Sequence, residues 1–132
     1  MSERYYNDWP DLNAGPVREA FVSVTHNKLA LSKAICNKLS GFRSFTHARY
    51  RSYTDCTGTY CEIHFLISPN FKAIPVTRKK SATGQPIGGA SLVNQRAVRH
   101  VFGELEEGKK LKFTSFLPIT PENPNVLIFK IV

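Results

Sequence analysis

The run Tyr60–Ser68 places Cys61, Ile63, Phe65 and Ile67 on one side of a two-residue alternation and Glu62, His64 and Leu66 on the other. A period of two sends successive side chains to opposite faces of an extended chain, so this segment reads as a strand with one interior stripe. Before it, past a turn at Asp55–Gly58, the run Arg43–Tyr53 (RSFTHARYRSY) alternates as well. One of its faces would carry Arg43, Phe45, His47, Arg49, Arg51 and Tyr53, every one basic or aromatic. The other would carry Ser44, Thr46, Ala48, Tyr50 and Ser52, which apart from Tyr50 are small enough to approach a packed layer. Neighbouring strands of this kind demand a sheet with a sealed side and an open one.

Further strands are expected at Glu19–Thr25, at Phe71–Thr77 after a turn at Pro69 and Asn70, and at Lys109–Leu117 and Asn125–Val132, the last two separated by Pro118, Pro121 and Pro124. Ser32 can cap a helix over Lys33–Leu39 that Gly41 ends, and Asn94 can cap a second over Gln95–Phe102 that Gly103 ends. Arg78–Gly89 (RKKSATGQPIGG) has the composition of a mobile basic loop. Met1–Val17 reads as an extended aromatic arm, with Tyr5, Tyr6 and Trp9 among residues that break regular structure. The fold expected for residues 18–132 is a single α+β domain, a mostly antiparallel twisted β-sheet with two short helices. The two capped helices lie 62 residues apart and each is followed by strands, the pattern of an internal β-α-β-β repeat.

Charge narrows the function classes. The chain of 132 residues carries a net +8, and between Ala20 and Gly103 twelve Lys and Arg face two acids, Asp55 and Glu62. That local excess of ten gathers polyanions. There is no signal-peptide pattern and no apolar run long enough to span a bilayer, so no membrane partner is expected. The three cysteines, Cys36, Cys56 and Cys61, are an odd number and fit reduced thiols in the cytoplasm, or the host cytoplasm if the chain is phage-encoded. Neither their spacing nor that of His47 and His64 matches a zinc motif, and the phosphate-cradling, Rossmann, serine-hydrolase and zincin motifs are lacking. No cofactor, metal or catalytic residue is assigned.

Unpaired nucleic acid exposes phosphates and base faces, so its site needs cations for the first and rings for the second. The expected site is Arg43, Phe45, His47, Arg49, Arg51 and Tyr53, with Arg78, Lys79 and Lys80 as a loop clamp and Lys110 and Lys112 extending the track. The partner expected is nucleic acid, single-stranded DNA ahead of RNA, bound with little sequence specificity by a protein that is not an enzyme. A C-terminal apolar strand and the aromatic arm offer surfaces for a homo-oligomer. Two alternatives stand beside this: a small metal-independent ribonuclease using histidine acid–base chemistry, and a protein-interaction module or inhibitor that docks on an acidic host protein.

The stretch VSVTHNKLALSKAICNKLSG followed by basic strands resembles small phage-encoded or bacterial single-stranded DNA-binding, transcription-regulating proteins. The resemblance covers the strand, helix and following strands of the first half. It implies a β-rich oligomer that coats single strands and affects replication or transcription. The chain departs from many single-strand-binding proteins in ending on NVLIFKIV rather than an acidic tail.

Overall fold

The computed structural model describes residues 19–39, 41–69, 73–80, 82–83 and 86–132; the expected aromatic arm lies outside them. Its elements are β1 (Val22–Thr25), β2 (Lys28–Leu31), α1 (Lys33–Lys38), β3 (His47–Asp55), β4 (Gly58–Leu66), β5 (Ile74–Lys80), β6 (Pro86–Val93), α2 (Gln95–Phe102), β7 (Leu111–Phe113) and β8 (Val126–Lys130), with a 3-10 turn at Phe42–Ser44. The strands form one antiparallel sheet in the order β7-β1-β2-β6-β5-β3-β4-β8. Beyond β7 the chain runs alongside β8: Lys130 N donates to Ser115 O (2.9 Å), Leu117 N to Ile128 O (3.0 Å), and Phe116 bridges Phe129. The sheet is thus nearly closed on itself, and the α+β class holds.

Both helix starts follow from their caps. Ser32 Oγ accepts from Ile35 N and, at 3.0 Å, from Phe21 N, so one hydroxyl caps α1 and ties it to the residue that leads into β1. Asn94 Oδ1 accepts from Ala97 N at 3.0 Å at the head of α2. Gly41 adopts φ 68°, the left-handed region that favours glycine, where the chain leaves α1.

The element order repeats. Two strands, a helix and two strands (β1-β2-α1-β3-β4) are followed by the same sequence of elements (β5-β6-α2-β7-β8). Across the middle, Lys28 faces Val93 and Leu31 faces Ala90, so positions 62 residues apart exchange places about a local two-fold between β2 and β6. The β-α-β-β unit expected from the sequence is therefore one strand short. β2 and β6 are not among the expected strands, and β6 together with β5 occupies most of the supposed loop Arg78–Gly89. Its glycines looked like loop residues, yet a Cβ built on Gly89 would lie 1.8 Å from the Leu31 carbonyl oxygen. Close approach of β2, rather than flexibility, requires glycine there.

The interior fills from both sources. Val22, Val24, Leu29, Leu31, Ile63, Phe65, Leu92, Leu127 and Phe129 line the inside of the sheet, and Ile35, Leu39 and Val98 enter from the helices. Cys61 lies with them, while Ile67, expected on the same stripe, is 71% exposed because β4 ends at Leu66. Burial pushes the Cys36 thiol up to about 11 and raises that of Cys61 further, so both stay protonated; Cys56 is exposed. β8, which the sequence offered as a pairing edge for a second chain, is hydrogen-bonded on both sides within this one.

Phe129 is fully buried and its ring meets those of Phe113 (5.3 Å), Phe116 (6.1 Å) and Phe102 (6.4 Å). Phe129→Ala removes the side chain on which both sides of the closing seam pack. It should cost about 3–5 kcal/mol, read as a fall in the urea midpoint at unchanged slope.

Candidate nucleic-acid interface

β3 begins four residues later than its alternation suggested. Phe42 and Phe45 turn inward and set their rings against Phe65, at 5.7 and 5.5 Å, so burial of two aromatic side chains wins over extension of the strand. Phe45 is 7% exposed and stacks in the core; its expected place on the open face, for stacking on a base, is corrected. Arg43 is exposed on the 3-10 turn rather than on the strand.

Arg78 is corrected more sharply. Instead of clamping from a mobile loop, its guanidinium lies 5.0 Å from the centre of the Phe42 ring and donates to the carbonyl of Phe42 at 2.8 Å and to that of Phe45. It holds the 3-10 turn against β5. Lys79 and Lys80 lie on β5, but their side chains are outside the described residues. Lys110 and Lys112 are exposed at β7, beside β1 rather than β3, and Lys112 Nζ sits 2.6 Å from Glu19 Oε2 and over the Phe21 ring.

Within β3 the alternation holds. Ala48 is fully buried and Tyr50 packs against the core, while Arg49 and Arg51 are exposed and His47 and Tyr53 half-buried on the opposite side. The register with β4 adds companions: His47 faces Leu66, Arg49 faces His64, Arg51 faces Glu62 and Tyr53 faces Tyr60. β8 continues the rows, with Val126 opposite His64, Ile128 opposite Glu62 and Lys130 opposite Tyr60. The phenol rings of Tyr53 and Tyr60 stack at 5.3 Å and 17°. At the hairpin end Asp55 Oδ1 accepts from Thr57 N (2.8 Å), Thr57 Oγ1 (2.6 Å) and Gly58 N (3.2 Å), which fixes the turn that sets this register.

Glu62 is the one acid in the centre of this face. Arg51 Nε donates to its Oε1, and His64 Nε2 lies 3.2 Å from the same oxygen, off the line of a hydrogen bond. Partial burial acts to raise the Glu62 pKa, but the hydrogen bond from Arg51 and the His64 ring outweigh it and hold the carboxyl below its usual range. Arg51 stays 75% exposed at its side chain, and a pair this open is worth roughly 0–1 kcal/mol, so an incoming phosphate can displace the carboxylate. Glu62, His64, Tyr60 and Lys130 were absent from the sequence-derived site. The signal existed in the even positions of Tyr60–Ser68, but only the pairing register shows that they share a face with Arg49 and Arg51.

Among the described residues no three His, Cys, Asp or Glu side chains gather as a metal site, and no helix is long and apolar enough to cross a membrane. No protein-family model matches the sequence, and no curated protein or solved structure matches the chain. The fold and this face define the molecule as a small, internally repeated, nearly closed antiparallel sheet with a basic, tyrosine-bearing outer surface.

Two outcomes are expected. Arg78→Ala strips the carbonyls of Phe42 and Phe45 of their donor and should destabilise the fold by about 1–3 kcal/mol in urea titration. Glu62 has a lowered pKa in the folded state, so its stabilising contribution is present above the ordinary carboxyl value of 4.5 and is lost as pH falls through the lowered one. Glu62→Gln should therefore flatten the loss of thermal stability on acidification within that window and leave the acid limb below it unchanged.

Proposed function

We propose that this chain binds single-stranded nucleic acid, DNA ahead of RNA and with little sequence preference, through the outer face of the β3–β4 hairpin. The observation that carries this is the co-facial row of Arg49, Arg51 and Tyr53 along one strand, with Tyr53 stacked on Tyr60 and Lys130 at its end. In this reading Arg49 and Arg51 meet phosphates. The Tyr53 ring, backed by the buried ring of Tyr60, offers an aromatic platform, where a stacked base is worth about 1–3 kcal/mol. The setting would be replication or transcription in a phage or bacterium, in a role without catalysis.

A second reading, metal-independent RNA cleavage, is favoured by one cluster: Glu62 and His64, with Arg49 and Arg51 opposite them, place acid–base groups beside phosphate-binding ones. Against it, Glu62 and His64 lie side by side. An in-line displacement uses its base and its acid on opposite sides of the phosphorus.

Binding should weaken with salt at a log–log slope of about −0.7 per phosphate met on a single strand. Arg49→Ala with Arg51→Ala should lower that slope by about 1.4 in total if each meets one phosphate. Tyr53→Ala should weaken binding with the slope unchanged, and Glu62→Gln should strengthen it by freeing Arg51. An unchanged slope in the arginine double variant removes the β3 face from the site. Metal-free RNA turnover that His64→Ala abolishes would establish the second reading instead.

A further inference from the structure

A concavity of about 480 Å3 lies on the outer surface of β1, β2 and β6. Its floor is Ser23, Ala30, Gly89 and Ser91, residues without long side chains, and three of them stand in one cross-strand row: Ser23 opposite Ala30, and Ala30 opposite Ser91. Gly89 keeps the floor low where β6 approaches β2, since the Leu31 carbonyl occupies the space of a side chain. Lys28, Lys33 and Lys110, all exposed, form the rim. The carboxylate in the lining, Glu19, is already neutralised by Lys112. The groove is therefore cationic.

Ser23 marks the place where a ligand would dock. It is 5% exposed, and among the described residues its hydroxyl has no hydrogen-bond partner. The side chain is nearly enclosed but its oxygen is not sealed from solvent, so the hydroxyl opens into a groove ringed by ammonium groups. An anion with oxygen acceptors beside a flat ring satisfies both features: its oxygens accept from the hydroxyl and meet the lysine charges, while the ring lies on the low floor beside Phe21. The volume falls in the range of small-ligand sites.

We propose that this groove holds one nucleotide of a single-stranded nucleic acid, its phosphate accepting from Ser23 Oγ and from Lys28, Lys33 and Lys110. The proposal rests on the single-strand reading given above and adds a second contact on the same strand. β2 lies three strand spacings from β3, about 15 Å along the sheet, with β5 and its Lys79 and Lys80 between them.

The test is a titration of the full chain with oligothymidylate, followed by the amide resonances of Ser23, Ala30 and Ser91 and by affinity across a salt series. The triple variant Lys28→Ala, Lys33→Ala, Lys110→Ala should lose at least tenfold in affinity and about 0.7 in slope for each phosphate no longer met. Ser23→Ala, a change the fold accommodates, should weaken binding several-fold at unchanged slope. Wild-type affinity and slope in both variants, with the three amides unmoved, overturn the groove; if Arg49→Ala with Arg51→Ala still weakens binding, the β3 face survives alone. Loss in the groove variants without loss in the arginine variant leaves the groove standing and removes the β3 face. Absence of binding by the unaltered chain removes both.

Discussion

The ring of aromatic contacts around Phe129 is the interaction on which the remaining structure depends. Phe113 reaches it from β7, Phe116 from the segment beyond, and Phe102 from the end of α2. A sheet of short strands leaves unpaired edges and a half-covered apolar face unless it curls far enough to meet itself. Here the two edges meet through Ser115–Leu117 and β8, and the rings beneath them fill the space that closure encloses. With the inside filled largely by hydrocarbon and aromatic side chains, most polar and cationic side chains gather on the outside of the sheet.

Cations then divide by what the local backbone needs. Arg78 stands on β5 where alternation points inward, and its planar, multiply donating head serves the carbonyls of a tight turn while its face lies on a phenyl ring. Arg51 leans on Glu62, an exposed and weak pairing that restrains the side chain without consuming its capacity for phosphate. Arg49 faces outward opposite His64. One residue type thus has a structural member, a tethered member and an open one, and sequence position alone does not sort them.

The internal repeat gives the fold its economy and its asymmetry. Each half contributes two strands, a capped helix and two strands, and the halves meet at the β2–β6 pairing. Their second hairpins differ: β3 and β4 run nine residues each, whereas β7 is three residues long and its continuation meets β8 through a single bridge. The long hairpin therefore presents an extended outer face, while the short one leaves its lysines beside β1, next to the small-residue floor of Ser23, Ala30 and Ser91.

What the sequence determined by itself is local. The caps Ser32 and Asn94, the glycines that end the helices, the alternation of Tyr60–Phe65 and the outward row His47, Arg49, Arg51 and Tyr53 all follow from hydrogen bonding or side-chain period within a few residues. The tertiary structure decided whatever depended on a distant partner. Phe45 looked like a member of an open face until Phe65, twenty positions away, offered a ring to stack on. Gly89 looked like a loop residue until the Leu31 carbonyl left no room for a side chain there. Glu62 and His64 joined the basic face only through the β3–β4 register, and the Ser23 hydroxyl came to open into a cationic groove only once β2, β6 and the lysines around them were in place. Period and propensity act over one turn or a few strand residues, whereas burial and register are set by residues that meet only when the sheet closes.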